Sequence, residues 1–159
     1  MSRPVHILFV CIGNIARSPT AEAAIRQAAS RVGLDLEVRS AGVAARPGQP
    51  PNARMAALAA EREINIQHAA RQVGQSDLEW ADRILAMDRY TRDRLLEIDG
   101  RAHVEMFALL DPDAGGNDEV LDPGGGDDNE FLIAMGTIER AGAALIASLL
   151  RTGSAFESE

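Results

Sequence analysis

The stretch Val5-His6-Ile7-Leu8-Phe9-Val10-Cys11-Ile12-Gly13-Asn14-Ile15-Ala16-Arg17-Ser18-Pro19-Thr20 decides the architecture, because its character changes twice within sixteen residues. Val5 to Val10 is a short apolar run flanked by Pro4 and Gly13, with the length and β-branching of a strand buried on both faces of a parallel sheet. Ser18 and Pro19 then place a capping residue ahead of a proline at the first helical position, and the alanine-rich stretch from Thr20 to Val32 stops at Gly33. The chain therefore opens strand, loop, helix, and the loop runs from Cys11 to Ser18.

Working outward, Leu36 to Val38 is a second strand that runs into Ser40-Ala41-Gly42, and the Pro/Gly-rich segment Arg46 to Pro51 leads to a helix over Ala53 to Glu63 capped by Asn52. Ser76 and Glu79 have capping-box spacing for a short helix carrying Trp80. Arg83 to Met87 is a third strand, Thr91 to Ile98 a helix, and His103 to Phe107 a fourth strand. From Ala108 to Asp128 turn residues dominate. Seven carboxylates fall there (Asp111, Asp113, Asp118, Glu119, Asp122, Asp127 and Asp128) without one arginine, and a loop this long in a compact domain is disordered or functional. Phe131, Met135, Ile138, Leu145 and Leu149 then recur at near-helical spacing, so an amphipathic helix closes the chain before a polar tail, Thr152 to Glu159, expected to fray. Strands alternating with helices predict an α/β fold, a four-stranded parallel sheet flanked by helices.

The composition agrees and narrows the function. A chain of 159 residues, 46% hydrophobic but only 4% aromatic, suits one domain spanning 1–159 with an aliphatic core. Its 16 basic and 24 acidic residues give a formal charge of −8, opposite in sign to a nucleic-acid footprint and unsuited to an acidic membrane surface. Every basic residue is arginine, which excludes a lysine nucleophile. Cys11 is the single cysteine, so neither an internal disulfide nor a cysteine zinc cluster can form, and the thiol fits a reducing, cytoplasmic compartment. The apolar run before Cys11 is too short for a cleavable signal or a spanning helix. No repeat, heptad array or linker interrupts the chain.

Chemistry concentrates in the first loop. Between a strand end and a helix start, the backbone N–H groups of Ile12, Gly13, Asn14, Ile15, Ala16, Arg17 and Ser18 can converge on an anion, with the positive helix terminus behind them. Arg17 can grip two phosphate oxygens at once. The same field stabilises a thiolate, which makes Cys11 a nucleophile, and Ser18 can donate its hydroxyl to the sulfur. Gly13 and Asn14 allow the tight curl. The chemistry this predicts is attack of sulfur on phosphorus. The bland alternative, Cys11 as a small buried apolar residue, leaves the coincidence of Cys, Gly, Arg and Ser at one junction unexplained.

The string Val10-Cys11-Ile12-Gly13-Asn14-Ile15-Ala16-Arg17-Ser18-Pro19-Thr20-Ala21-Glu22-Ala23 resembles the low-molecular-weight protein tyrosine phosphatases. The likeness extends through Ser40-Ala41-Gly42, His68-Ala69-Ala70-Arg71-Gln72, Ile84-Leu85-Ala86-Met87-Asp88 and Asp122-Pro123. It implies a phosphatase that needs no metal or other cofactor and works through a phosphocysteine on Cys11. In that scheme Arg17 holds the phosphoryl oxygens and Asp122 is the general acid. Asn14, Ser18 and Ser40 resemble the family's supporting hydrogen-bond network, and Glu22 with His68 the pair that braces the loop from behind. Asp111-Pro112 rivals Asp122-Pro123, but it directly follows the fourth strand, whereas the family's Asp-Pro lies close to the last helix.

Two departures bear on substrate. Where relatives carry aromatic walls around the substrate ring, this chain has Gly124, Gly125 and Arg46, which predicts a more open pocket; Arg46 could stack on a ring. Ile15 points to phosphotyrosine, since relatives acting on phosphoarginine tend to have threonine there. A phosphoarginine phosphatase of the same fold and a catalytically silent phosphate-binding module are the alternatives. An arsenate reductase would need further cysteines. The partner implied is a phosphotyrosine-containing protein; in bacteria such enzymes often oppose a tyrosine kinase of polysaccharide export.

Overall fold

In a computed structural model, which describes residues 3–157 and side chains as far as residue 152, β1 (Val5–Cys11) runs through the middle of a parallel sheet of order β2-β1-β3-β4. β2 (Leu36–Gly42) pairs along the whole of β1, from Val5 against Leu36 to Cys11 against Gly42. β3 (Arg83–Ala86) lies on the other side, with Val10 opposite Ala86, and β4 (Val104–Met106) forms the far edge. Ile7, Leu8, Phe9 and Val10 are all fully buried. Because side chains alternate along a strand, Ile7 and Phe9 feed one core and Leu8 and Val10 another. The first core is covered by α1 (Arg17–Arg31), α2 (Ala53–Glu61) and α5 (Asp128–Glu157); the second takes Leu78 of α3 (Gln75–Trp80) and Leu95 of α4 (Arg89–Ile98).

The sequence reading places every strand and α-helix, and its errors are local: β2 runs on past Val38 to Gly42, and α2 stops at Glu61 instead of Glu63. Ser18 is not the cap of α1. The helix begins at Arg17 after Ala16, which makes no side-chain cap, and the Ser18 hydroxyl is used elsewhere. The short helix α3 is closed not by Ser76 and Glu79 but by Asp77, whose carboxylate accepts the Gly74 N–H at 2.9 Å. Asp88 caps α4 by accepting the Thr91 N–H at 2.7 Å, so that helix starts earlier than Thr91. β4 is shorter than expected because Phe107–Leu110 winds into a 3-10 turn. The α5 backbone is helical to Glu157, past Thr152 where the tail was expected to fray, and residues 158 and 159 lie outside those described. By length and composition, Asp128–Thr152 would pass for a membrane span. Phe131, Met135, Ile138 and Leu145 are instead buried against the sheet side of the molecule, as in a core helix.

The acidic stretch between the 3-10 turn and α5 is ordered. Val120 and Pro123 are its buried apolar side chains, and the Val120 N–H donates to Met87 O at 2.8 Å just beyond β3. The arginines it lacks come from four helices. Arg140 reaches Asp111, Arg89 reaches Asp118, Arg17 approaches Asp122, and Arg54 pairs with Asp128 at the start of α5.

In a sheet of order 2-1-3-4 the chain leaves β1 and β3 toward opposite sides, which opens a crevice at their carboxyl ends. The loop after β1 and the residues after β3, Met87 and Asp88, meet there.

Candidate active site

The loop from Cys11 to Arg17 is fixed by its carbonyl groups. Cys11 O accepts from Val43 N (3.0 Å), Ile12 O from Ala44 N (2.9 Å), Ile15 O from Asn52 N (2.8 Å), and Ala16 O from the Thr20 hydroxyl (2.6 Å). Asn14 O faces His68 Nε2 at 2.9 Å. Across each planar trans peptide the following N–H points the opposite way from its carbonyl. The amides of Ile12, Gly13, Ile15, Ala16 and Arg17 thus turn away from those partners, and the Asn14 N–H points at Cys11 Sγ from 3.3 Å. Asn14 makes the curl possible with φ of 56°, a left-handed conformation that asparagine tolerates. Gly42 at the end of β2 lets the loop lie against it: a Cβ there would stand 2.5 Å from Ile12 O.

Hydrogen-bond directions behind the loop follow from one donor whose role is unambiguous. The Arg71 N–H can only donate, and it meets Asn14 Oδ1 at 3.0 Å, so the Asn14 amide is oriented. His68 Nε2 lies 3.0 Å from the same oxygen and must carry the proton. Asn14 Nδ2 then donates to Ser18 Oγ at 2.9 Å and to Ser40 Oγ at 3.0 Å. The Ser40 hydroxyl donates to Glu22 Oε1 at 2.6 Å. Ser18, already accepting from Asn14, has one proton left, and Cys11 Sγ is 2.9 Å away. The chain of bonds ends at the sulfur, to which the Ser18 hydroxyl donates once the thiol is ionised. Asn14 and Ser18 are wholly buried, where an incomplete network would be costly. Glu22 and His68 reach the loop by separate bonds, Glu22 through Ser40 and His68 through Asn14.

Arg17 is 3% exposed and lies across the crevice. One terminal nitrogen donates to Asp88 Oδ2 at 2.8 Å and to Val120 O at 3.0 Å, and the other is 3.5 Å from Asp122 Oδ2. Burial alone would push the Asp88 carboxyl up, but the bonds from Thr91 and the Arg17 charge outweigh it and hold it below the usual carboxylate range. Asp88 is thus an anion near neutral pH, bonded to the guanidinium. Its role was missed in the sequence, although an aspartate after a buried strand and three residues before Thr91 carries a capping signal.

Asp122 and its rival Asp111 are in different places. Asp122 is exposed beside Arg17 and accepts the Gly124 N–H at 3.1 Å. Asp111 is buried against Arg140 of α5, at 3.0 and 3.1 Å from Nε. A cleft of about 370 Å³ adjoins Arg17 and is lined by Asp88, Tyr90, Asn117, Glu119, Val120, Leu121 and Asp122. Neither Arg46 nor Gly124 lines it; both are exposed. Its aromatic member is Tyr90, half exposed in the first turn of α4, which no sequence motif singled out.

Cys11 thus lies at the start of the loop, while Arg17, at the loop's other end, reaches across the crevice to Asp88 and toward Asp122. The family model for low molecular weight phosphotyrosine protein phosphatase matches residues 6–155. The chain belongs to that family. Within this phosphatase family it is 38% identical over 147 residues to low molecular weight protein-tyrosine phosphatase A of Mycobacterium tuberculosis, covering 89% of each chain. It is 37% identical over 122 residues to a protein-arginine-phosphatase of Bacillus subtilis, covering 77% of this chain and 81% of that one. Among solved structures, YfkJ from Bacillus subtilis superposes with a TM-score of 0.87 at 30% identity, covering 95% of this chain and 98% of that one. A mutant of YwlE from the same organism gives 0.83 at 31%, covering 91% and 98%.

Proposed function

We propose that the protein hydrolyses phosphotyrosine in proteins through a phosphocysteine on Cys11. The observation that carries this reading is the convergence on Cys11 Sγ of the Asn14 N–H and the Ser18 hydroxyl, in a loop whose other amides turn away from the partners of its carbonyls. The loop amides and Arg17 hold the phosphoryl oxygens, and their fixed dipoles match the charge of the transition state without reorganisation. Cys11 Sγ attacks phosphorus, the bond to the phenolic oxygen breaks, and Asp122 supplies that oxygen with its proton. The Asp122 carboxylate then takes a proton from the water that attacks phosphorus, and sulfur leaves. The Ser18 hydroxyl stabilises the thiolate both as nucleophile and as leaving group. Asp88 holds Arg17 across the crevice before phosphate draws the guanidinium over.

Tyr90 and Leu121 supply an apolar wall on the Asp122 side of the crevice, where Gly124 and Gly125 offer none. Half-buried Ile15 favours an aryl ester over a guanidino phosphate. The second reading is phosphoarginine hydrolysis, favoured by the likeness to the Bacillus subtilis protein-arginine-phosphatase. Steady-state rates on phosphotyrosine, phosphoserine and phosphoarginine peptides in the presence of a metal chelator decide: the tyrosine ester should turn over with the highest kcat/KM. Preference for phosphoarginine would transfer the function to the second reading, and no turnover of any ester would leave a phosphate-binding module. The place of action we infer is a bacterial cytoplasm, supported by the single free thiol and the bacterial relatives; a tyrosine kinase is the partner class expected of the family.

A further inference from the structure

The segment that carries Asp122 continues as Pro123-Gly124-Gly125-Gly126 before α5. Three successive glycines bring no side chain to anchor and have the most backbone freedom to lose. Within itself the segment makes two bonds, Gly124 N to Asp122 Oδ1 at 3.1 Å and Gly126 N to Pro123 O at 2.8 Å. Its far end is held from outside by Arg54, in the first turn of α2. One terminal nitrogen of Arg54 donates to Gly126 O at 2.9 Å and the other pairs with Asp128. The guanidinium also lies over the ring of Phe131, 4.5 Å from its centroid. Phe131 is buried, so the plane has a rigid floor.

The same turn of α2 is bound to the anion loop. Asn52, which caps α2, donates its N–H to Ile15 O and accepts the Met55 N–H at 3.0 Å. Two residues along the chain thus separate a bond to the loop that carries the nucleophile from the clamp on the segment that carries the acid.

We propose that Arg54 is a positioning residue for Asp122: by clamping the far end of the triglycine link it sets where the carboxyl stands relative to Cys11 and Arg17. The proposal rests on the reading of Asp122 as the proton donor. A planar fork with three simultaneous attachments fixes direction as well as distance, which an ammonium at the same place would not.

The test uses the full-length protein and aryl phosphates whose leaving phenols span a wide range of acidity. Arg54→Met should lower kcat for esters of weakly acidic phenols by about tenfold and leave esters of strongly acidic phenols within about twofold, with KM little changed. Arg54→Lys should resemble Arg54→Met. Both should fold with little loss of Tm, because the side chain is half exposed. A loss equal for all esters, or none, overturns the proposal if Asp122→Asn in the same series keeps a leaving-group-dependent loss. If Asp122→Asn shows no such dependence, the reading of Asp122 falls first and takes the proposal with it.

Discussion

Gly42→Ala gives a sharp test of how the anion loop is held. The added Cβ would stand 2.5 Å from Ile12 O, 3.0 Å from Asn14 N and 3.1 Å from Asn14 Cβ. An ordinary contact between carbon and oxygen begins near 3.3 Å, so Ile12 O must yield by roughly 0.8 Å. All three atoms belong to the loop at or next to its backbone, and none can swing away as a long side chain would. Ile12 O also holds Ala44 N, so displacement strains that bond as well. Overpacking costs about 1–3 kcal/mol and a weakened buried hydrogen bond about 1 kcal/mol. Taken together, a loss of about 2–4 kcal/mol lowers Tm by roughly 4–16 °C in a chain of this length. The same shift moves amides aimed at phosphate, so vanadate inhibition should weaken by at least about tenfold. Gly100→Ala, where the nearest heavy atom is 3.7 Å away, is the control and should change neither quantity. Thermal unfolding and vanadate titration of both variants check this. If Gly42→Ala matches the parent in both, the loop is not pressed against β2 as described.

Cys11→Ser should abolish turnover while phosphate binding, followed by its effect on Tm, persists; measurable catalysis would remove Cys11 from its role. Arg17→Lys should lower kcat by at least about a hundredfold, because a point charge loses the fork; near-normal rates would contradict the assignment. Asp122→Asn should slow esters of weakly acidic phenols by about 10²- to 10⁴-fold and barely affect activated esters, whereas Asp111→Asn should keep its activity and lose a few degrees of Tm as Arg140 loses its partner. The reverse pattern would exchange the two aspartates. For Asp111 as for Asp88, burial pushes the carboxyl up but is outweighed: the Arg140 bonds and charge hold Asp111 below its ordinary value. Their contribution is therefore complete above the unfolded carboxylate range near pH 4 and is lost as pH falls through the lower folded values. Tm should be flat near neutrality and drop below about pH 4, with a shallower drop in Asp111→Asn; a Tm that rises on acidification would contradict the sign.

The elements were legible because their signals are local. The run Ile7 to Val10 has no place except between two packed layers, and Asn52 sits where a cap must. Ser18 misled because one serine can serve a helix end or a thiol equally well, and only the path of the chain back toward Cys11 decides. Arg17, Asn14 and Cys11 were readable from spacing along one loop. Asp88, Tyr90, Val120 and Arg54 were not, since each matters through a partner more than thirty residues away or through a cleft that exists only after β3 and the acidic stretch come together. Asp122 was preferred to Asp111 in the sequence by its nearness to the last helix, and the fold sets the two against different arginines, Asp122 beside Arg17 and Asp111 against Arg140 of α5.

The four arginines that meet the acidic stretch are unequal, and that has a consequence for how the stretch moves. Arg89, Arg54 and Arg140 are about half exposed, so their ion pairs are individually weak and screened by salt. Arg17 is buried, and beside it Val120 is bonded to the chain end of β3. Hydrogen exchange should therefore record the Val120 amide as slower than the local turn amides between Asp113 and Glu119. Raising the ionic strength should speed the flanking amides and leave Val120 unchanged. Such a segment is pinned at Asp111, Val120 and Pro123 and gives between those points, which lets its exposed turns adjust to a bulky phosphoprotein without uncovering the crevice floor.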